Sequence, residues 1–215
     1  MYVKNRMTSN PYTVSPDSTI AEALELMRRN KVRRLPVIKA GRLAGIVTER
    51  EMLEVSPSKA TTLSIFEMNY LLSKTKVSSV MTKDVITVDP DTLLEEAARI
   101  MRENTISSLP VMEGQELVGI ITETDIFDAF IEMMGLRDTG TRISLEVEDA
   151  PGILAKVTQV IKEFGVNITH IAIYGGEGGI REVVIRVNTL NVDEMLKALE
   201  GHGYRVASVL KNENG

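Results

Sequence analysis

Hydrophobic and polar positions follow the same order twice along the first 127 residues. In each unit a short apolar segment precedes a Pro-Asp pair, and a segment with apolar residues at helical spacing follows. Two apolar runs separated by a glycine turn come next, and the second leads into another helical segment. The helical apolar positions are Ile20, Leu24 and Met27 in the first unit and Leu94, Ala97 and Met101 in the second. Each unit is therefore predicted to be β-α-β-β-α.

The two units form a gapless internal repeat, with residues 7–53 aligned on residues 81–127 at a constant offset of 74. Identical pairs include Met7 and Met81, Thr13 and Thr87, Pro16 and Pro90, Met27 and Met101, Pro36 and Pro110, Gly45 and Gly119, and Thr48 and Thr122. This agreement predicts two copies of one fold. Because one copy is too small to bury its sheet, we expect the copies to pack as a pseudo-twofold pair.

The segment between the repeats, residues 57–80, is predicted to contain an amphipathic connecting helix. Its inner face would be formed by Ile65, Met68, Leu71 and Leu72.

After Gly135 the pattern changes to strand, helix, two strands, helix and strand. The first helix of this tail starts near Pro151 and is expected to end at Gly165. The order βαββαβ is typical of a ferredoxin-like sandwich. The glycine-rich stretch at 175–179 lies between two strands and precedes no helix, so it is predicted to be a hairpin turn and not a phosphate-binding loop.

Composition limits the classes of function. The chain has no cysteine, which excludes disulfides and thiolate chemistry. No signal-like segment and no apolar run of membrane-spanning length is visible, so a cytoplasmic protein without membrane contact is expected. The two histidines, His170 and His202, have no third metal ligand nearby in sequence, and no nucleophile–base grouping appears. We therefore expect neither a metal site nor an enzyme.

Charge is distributed unevenly along the chain, whose net charge is −5. Residues 1–60 carry 11 Lys/Arg against 6 Asp/Glu, a balance of +5, whereas residues 61–140 carry 6 against 14, a balance of −8. The basic excess concentrates between Arg28 and Arg34. A local basic patch on an acidic chain favours an anion site over a general nucleic-acid surface.

The doubled unit, with its Leu-Pro-Val strand and its Gly-x-x-Thr-x-x-Asp ending, resembles a tandem pair of CBS domains, often called a Bateman module. The tail, with Glu-Asp-Ala-Pro-Gly-Ile-Leu and Phe-Gly-Val-Asn-Ile-Thr, resembles an ACT domain, a small amino-acid-sensing module. Their order, with the segment between the repeats, is similar to the acetoin-utilisation AcuB type. This implies an α+β fold with CBS domains at 1–60 and 81–137, a connecting helix at 61–80 and an ACT domain at 140–215.

The resemblance implies an adenine nucleotide bound between the repeats. Physical chemistry supports this site, because a helix N-terminus favours phosphate and a short carboxylate can accept hydrogen bonds from a ribose diol. The main nucleotide site would comprise Tyr12, Thr13, Val14, Val32, Arg33, Arg34, Pro36, Thr122, Thr124 and Asp125. The simpler interpretation of Thr122 and Asp125 is a helix cap.

A second, weaker nucleotide site would follow from the repeat. It would comprise Thr48, Glu51, Ile86, Thr87, Val88, Ile106, Ser107, Ser108 and Pro110. Here Glu51 replaces the aspartate, and Ser107 and Ser108 replace the two arginines. We therefore expect one competent nucleotide site and one weak or empty one.

The ACT resemblance implies a possible amino-acid site beside the loop between the first strand and helix of the tail. Its residues would be Asp149, Ala150, Pro151, Gly152, Ile153, Leu154, Asn167 and Ile168. The alternative is that this loop is only a turn and that the tail serves dimerisation.

These observations predict a regulatory sensor of AMP, ADP, ATP, S-adenosylmethionine or NAD, with no catalytic cofactor. It would act as a homodimer or on an unknown protein target. Two alternatives stay open: a scaffold protein with empty CBS sites, and a nucleic-acid-binding regulator that uses Arg28–Arg34. The net acidity and the 4% aromatic content weigh against the second.

Overall fold

The computed structural model describes residues 1–55, 73–175 and 178–213, and it forms two compact units, residues 1–126 and 127–215. The four residues predicted to form the inner face of the connecting helix lie outside the described residues. The boundary between the units falls within a helix, earlier than the predicted domain boundary at residue 137.

The first unit contains both repeats. Its strands are β1 (Thr8–Ser9), β2 (Arg34–Lys39), β3 (Arg42–Thr48), β4 (Ser108–Glu113) and β5 (Glu116–Thr122). Its helices are α1 (Ile20–Asn30), α2 (Glu49–Glu54), α3 (Leu94–Asn104) and α4 (Glu123–Met133), the last of which continues into the second unit.

The predicted first strand of each repeat is much reduced. At the positions predicted as strands, only single parallel bridges form, between Val14 and Val37 and between Val88 and Val111. Each bridge closes a hairpin, β2–β3 or β4–β5, whose two strands are antiparallel. The β-α-β-β-α prediction is therefore confirmed in its order of elements, with the first β present as an extended segment.

Each repeat exchanges its N-terminal segment with the other. Strand β1 of the first repeat pairs with β5 of the second, through Thr8 with Ile120 and Ser9 with Gly119. The equivalent segment of the second repeat pairs with β3, where the N–H groups of Ile46 and Thr82 each donate to the other's carbonyl at 2.9 Å. Neither repeat completes its sheet alone.

Helix α1 buries Ile20 and Met27 as its periodicity predicts, whereas the predicted Leu24 is only partly buried and Ala23 is the fully buried residue next to it. Ile20, Ala23 and Met27 are at most 2% exposed and pack on Leu35 of β2. Its first turn is fixed by a capping box, in which Glu22 N–H donates to Thr19 Oγ1 and Thr19 N–H donates back to the carboxylate. Helix α3 buries the equivalent positions, Leu94, Ala97 and Met101.

The second unit has the predicted βαββαβ order. Its elements are β6 (Gly140–Glu148), α5 (Ile153–Glu163), β7 (Ile168–Tyr174), β8 (Ile180–Val187), α6 (Asp193–Gly201) and β9 (Arg205–Asn212). The four strands form one sheet in the order β7-β8-β6-β9, with every neighbouring pair antiparallel. Both helices pack on one face, where Ile143, Ile161 and Leu199 belong to the core.

The exchange between repeats predicts where an added methyl group is not tolerated. A Cβ on Gly45 would lie 2.8 Å from the Thr82 carbonyl oxygen, which cannot retreat without losing its bond to Ile46. We expect Gly45→Ala to lower the free energy of unfolding by about 1–3 kcal/mol in urea denaturation, the range for overpacking. The matched control is Gly201→Ala, where nothing lies within 4 Å of the new Cβ. Equal urea midpoints for the two variants would contradict the prediction.

Candidate functional site

The start of helix α2 is held by Glu51, which uses both of its carboxylate oxygens. The N–H and hydroxyl of Thr48 donate to Oε2 at 2.8 and 2.7 Å, and the Glu51 N–H donates to the Thr48 hydroxyl at 3.2 Å. The hydroxyl of Thr82, which belongs to the exchanged segment of the second repeat, donates to Oε1 at 2.9 Å. Glu51 therefore caps its own helix and bonds to the other repeat.

At the start of helix α4 the shorter Asp125 caps its own helix, as Glu51 does, but within the described residues it does not bond to the other repeat. The N–H and the hydroxyl of Thr122 both donate to Oδ2 at 2.8 Å. Within the described residues no group donates to Oδ1 of Asp125, which is half-buried. The cap and the ligand interpretations are thus compatible, because one carboxylate oxygen serves the helix while the other can accept from a ligand.

Arg34 lies between the two helix starts. Its Nη2 donates to Ser107 Oγ of the second repeat at 3.0 Å, and its buried Nε has no partner within the described residues. Burial lowers the pKa of Arg34 and Arg33 lowers it further, whereas the charges of Glu123 and Asp125 raise it. The charge of Arg34 therefore interacts with Asp125 of the main predicted site. Its hydrogen bond, in contrast, is to Ser107 of the weaker predicted site.

A cavity of about 260 Å³ lies at the weaker predicted site. From the predicted set it is lined by Thr48, Glu51, Ile86, Ile106, Ser107 and Ser108, and sequence reasoning missed Ile46, Thr82, Asp84, Val85 and Thr105. Thr87, Val88 and Pro110 do not line it. Among the described residues, the lining contains two carboxylates, Glu51 and Asp84, and no lysine or arginine.

A wider groove of about 670 Å³ opens beside this cavity and shares Thr48 and Ser107 with it. Its cationic lining comes from Arg33, Arg34 and Arg50 of the first repeat, and Glu123 from the second repeat lines it too. The groove therefore presents guanidinium groups next to the helix start that carries Asp125.

The remaining residues of the main predicted site are less closely associated. Tyr12 is 53% exposed, and Thr13 and Thr124 are exposed too. Val14 and Pro36 are buried, with the Val14 N–H donating to the Pro36 carbonyl at 3.1 Å, and Val32 is half-buried. The structure thus brings together Arg34, Thr122 and Asp125, through the charge interaction of Arg34 with Asp125 and the hydrogen bonds of Thr122 to Asp125.

The predicted ACT site does not come together within one chain. The register pairs Glu148 with Ile180 at one end of β8 and Ile168 with Val187 at the other. At about 3.3 Å per residue, the loop 149–154 and Asn167 are therefore separated by roughly 23 Å along the sheet. The parallel relation of β6 and β7 causes this separation.

The loop itself is ordered by its own contacts. The Asp149 N–H donates to the Gly179 carbonyl at 2.8 Å, and Arg181 forms an ion pair with the Asp149 carboxylate at 2.9 Å. Gly152 adopts a φ of +81°, and no atom lies within 4 Å of the position that a Cβ would take, which leaves open space at the start of α5. Ala150, Ile153 and Leu154 are half-buried and Pro151 is exposed.

Two of the arginines between Arg28 and Arg34 are already paired with a glutamate. Arg28 and Arg29 both bond to Glu25 at 2.7 Å. This leaves Arg33 and Arg34 as the arginines of the run that line the groove. No group of three potential metal ligands occurs in the described part of the chain, and no helix within it is long and apolar enough to cross a membrane.

Comparison with known proteins identifies both units. The CBS domain model matches residues 3–58 and 77–132, and the ACT domain model matches residues 141–203. Inosine-5'-monophosphate dehydrogenase from Korarchaeum cryptofilum is 32% identical over 169 residues, 78% of this chain. The match spans only 32% of that dehydrogenase.

Solved structures resemble the first unit. A candidate acetoin utilization protein (AcuB) from Vibrio cholerae has 32% identity and a TM-score of 0.53, covering 63% of this chain and 94% of that one. CBSX2 in complex with AMP has 31% identity and a TM-score of 0.51, covering 61% and 96%. The CBS pair of MJ0100, in complex with 5'-methylthioadenosine and S-adenosyl-L-methionine, has 26% identity and a TM-score of 0.50, covering 60% and 95%.

The hydrogen bonds at the two helix starts predict unequal stability effects without ligand. Glu51→Ala removes the carboxylate that accepts from Thr48 and Thr82, so we expect a loss of about 1–3 kcal/mol in the free energy of unfolding. Asp125→Ala removes only the contacts with Thr122, so about 1 kcal/mol is expected. Urea denaturation of both variants measures the difference. A larger loss for Asp125→Ala would contradict the assignment of Glu51 as the link between repeats.

Proposed function

This chain belongs to the CBS-domain family and carries an ACT domain, and we propose that it is a regulatory protein that binds an adenine nucleotide between its repeats. The observation that carries the proposal is Oδ1 of Asp125, which accepts no hydrogen bond within the described residues and lies next to the groove lined by Arg33 and Arg34. A carboxylate can accept from the ribose hydroxyls, while guanidinium groups bind phosphate. The complexes of CBSX2 with AMP and of MJ0100 with adenosine compounds support a ligand of this class.

We propose that the two sites select ligands by charge. A phosphate in the groove gains from Arg33 and Arg34, and the partly desolvated Arg34 interacts with it more strongly than a fully hydrated group would. A phosphate in the 260 Å³ cavity would instead meet Glu51 and Asp84, and no arginine is among the described residues that line it. The cavity is therefore proposed to exclude nucleotides and to accept at most an uncharged or cationic adenosine compound.

The proposal extends to an amino-acid effector at the loop formed by Asp149–Leu154. Asn167 and Ile168 lie at the opposite end of the same sheet, so a second copy of the chain would have to supply them. Such an effector would regulate nucleotide binding only if each ligand changed the affinity of the other by the same factor. The link to acetoin utilisation is part of the proposal and rests on the AcuB resemblance.

Substitution of the two carboxylates tests the nucleotide proposal. We expect Asp125→Ala to weaken AMP binding by about 10- to 150-fold, equivalent to ~1.5–3 kcal/mol for a charged hydrogen bond, as measured by isothermal titration calorimetry. Glu51→Ala is the matched control, and its AMP affinity should change little because both of its oxygens already bond to protein groups. Equal losses would contradict the assignment to Asp125. Failure of adenine compounds to raise the melting temperature would favour the scaffold alternative.

The phosphate preference gives a separate prediction. Removing the charge in Arg33→Gln should reduce the affinity for AMP while leaving that for adenosine nearly unchanged, because only the phosphate faces the arginine. Arg29→Gln is the control, since Arg29 is engaged by Glu25 on an exposed helix end. Parallel loss of AMP and adenosine binding in Arg33→Gln would indicate that Arg33 supports the fold and not the phosphate.

A further inference from the structure

The cavity at the weaker predicted site shows which positions of a repeat line a ligand space, and the offset of 74 transfers these positions to the other repeat. Four polar residues of the second repeat that line this cavity are Asp84, Thr105, Ser107 and Ser108. Their equivalents in the first repeat are Asn10, Lys31, Arg33 and Arg34. Among these equivalents, Lys31 is the cation that the predicted main site does not include.

The two repeats have the same backbone structure at Lys31 and Thr105. Each of these residues follows an 11-residue helix, α1 or α3, in the left-handed conformation, with φ values of +54° and +55°. In both repeats the next residue donates its N–H at 3.0 Å to the carbonyl of the helix methionine, Met27 or Met101. The equivalence of the two positions therefore holds in three dimensions as well as in the sequence.

The contact between repeats is also equivalent at the two sites. In the cavity, Ser108 lines the same space as Glu51 of the other repeat. Their equivalents in the main site, Arg34 and Asp125, interact through their charges. Lys31, three positions before Arg34, therefore borders the main site as its equivalent borders the cavity.

All four differences make the main site more positive than the cavity. One carboxylate is replaced by the amide of Asn10 and three uncharged residues are replaced by cations, so the formal charge at these positions changes from −1 to +3. A monophosphate carries about two negative charges at pH 7, and each additional phosphate carries more. Three cations next to one another therefore match a chain of phosphates better than a single phosphate.

The charge of Lys31 is not required by the helix that it follows. A helix C-terminus favours a cation, but Arg28 and Arg29 already lie in the last turn of α1. Thr105 ends α3 in the same left-handed conformation without a charge. Lys31 is exposed and forms no ion pair within the described residues, so its ammonium group is available to a ligand.

We propose that Lys31 binds the terminal phosphate of the nucleotide and makes the main site selective for ADP or ATP over AMP. This inference rests on the proposed function, because it takes the ribose to be held at Asp125. Arg34, which interacts with Asp125, then binds the phosphate nearest the ribose, and Lys31 at the exposed edge binds the last one. A lysine suits this role because its compact charge lies on a long flexible stem.

Isothermal titration calorimetry with AMP and ATP tests the inference on the unaltered protein. The titrations are done in EDTA at constant ionic strength, so that no divalent cation neutralises the phosphates. ATP should bind about tenfold more tightly than AMP, the lower end of the range for a charge-assisted hydrogen bond, because Lys31 is exposed. Equal affinities, or tighter binding of AMP, would overturn the inference and leave the proposed function intact. Binding of neither nucleotide would refute the proposed function itself.

Substitution of Lys31 by the residue of the other repeat assigns the preference to this side chain. Lys31→Thr should fold, because Thr105 already adopts the same conformation, and should lose about tenfold in ATP affinity with AMP affinity nearly unchanged. Two controls should keep the preference for ATP: Lys31→Arg, which keeps the charge, and Arg29→Gln, which removes a charge two positions earlier. An equal loss for AMP and ATP in Lys31→Thr would refute the role at the terminal phosphate. The comparison of AMP with ATP on the unaltered protein remains decisive if this variant fails to fold.

Discussion

The exchange of N-terminal segments between the repeats is the constraint on which the first unit depends. The reciprocal hydrogen bonds of Ile46 and Thr82, and the pairing of β1 with β5, mean that neither hairpin has a complete sheet without the other repeat. The same exchange places Thr82 of one repeat over the helix start of the other. A ligand that contacted both repeats in such a site would stabilise their association by RT ln(1 + [L]/Kd), where [L] is its free concentration.

One methylene group distinguishes the two helix starts. The longer Glu51 reaches past its own cap and accepts from Thr82, whereas the shorter Asp125 stops at Thr122 and keeps one oxygen unused within the described residues. Capping alone is served by either residue, since both carboxylates accept from the threonine three positions earlier. The repeats therefore share a fold but differ at their helix starts: within the described residues Glu51 bonds to the other repeat, whereas Asp125 bonds only to Thr122.

Periodicity and the 74-residue offset were sufficient to predict the order of elements, the buried face of α3 and the βαββαβ tail, because these depend on local pattern. The exchange could not be predicted, since a two-residue strand and isolated bridges leave no periodic signal. The contact of Arg34 with Ser107 joins residues that are 73 positions apart in the sequence, and it depends on this exchange. The separation of Asn167 from Asp149 could have been predicted from the sequence. A βαβ connection makes β6 and β7 parallel, so both strands start at the same end of the sheet.

Helix α4 has side chains of opposite charge at its two ends, in the arrangement that its dipole favours. Asp125 accepts from Thr122 at the N-terminus, and Arg186 donates to the Met134 carbonyl at the C-terminus. A ribose diol that engaged both oxygens of Asp125 would compete with the Thr122 N–H and hydroxyl, so part of the binding free energy would be offset by loss of the cap. Nucleotide binding would thus act on this helix through its first turn.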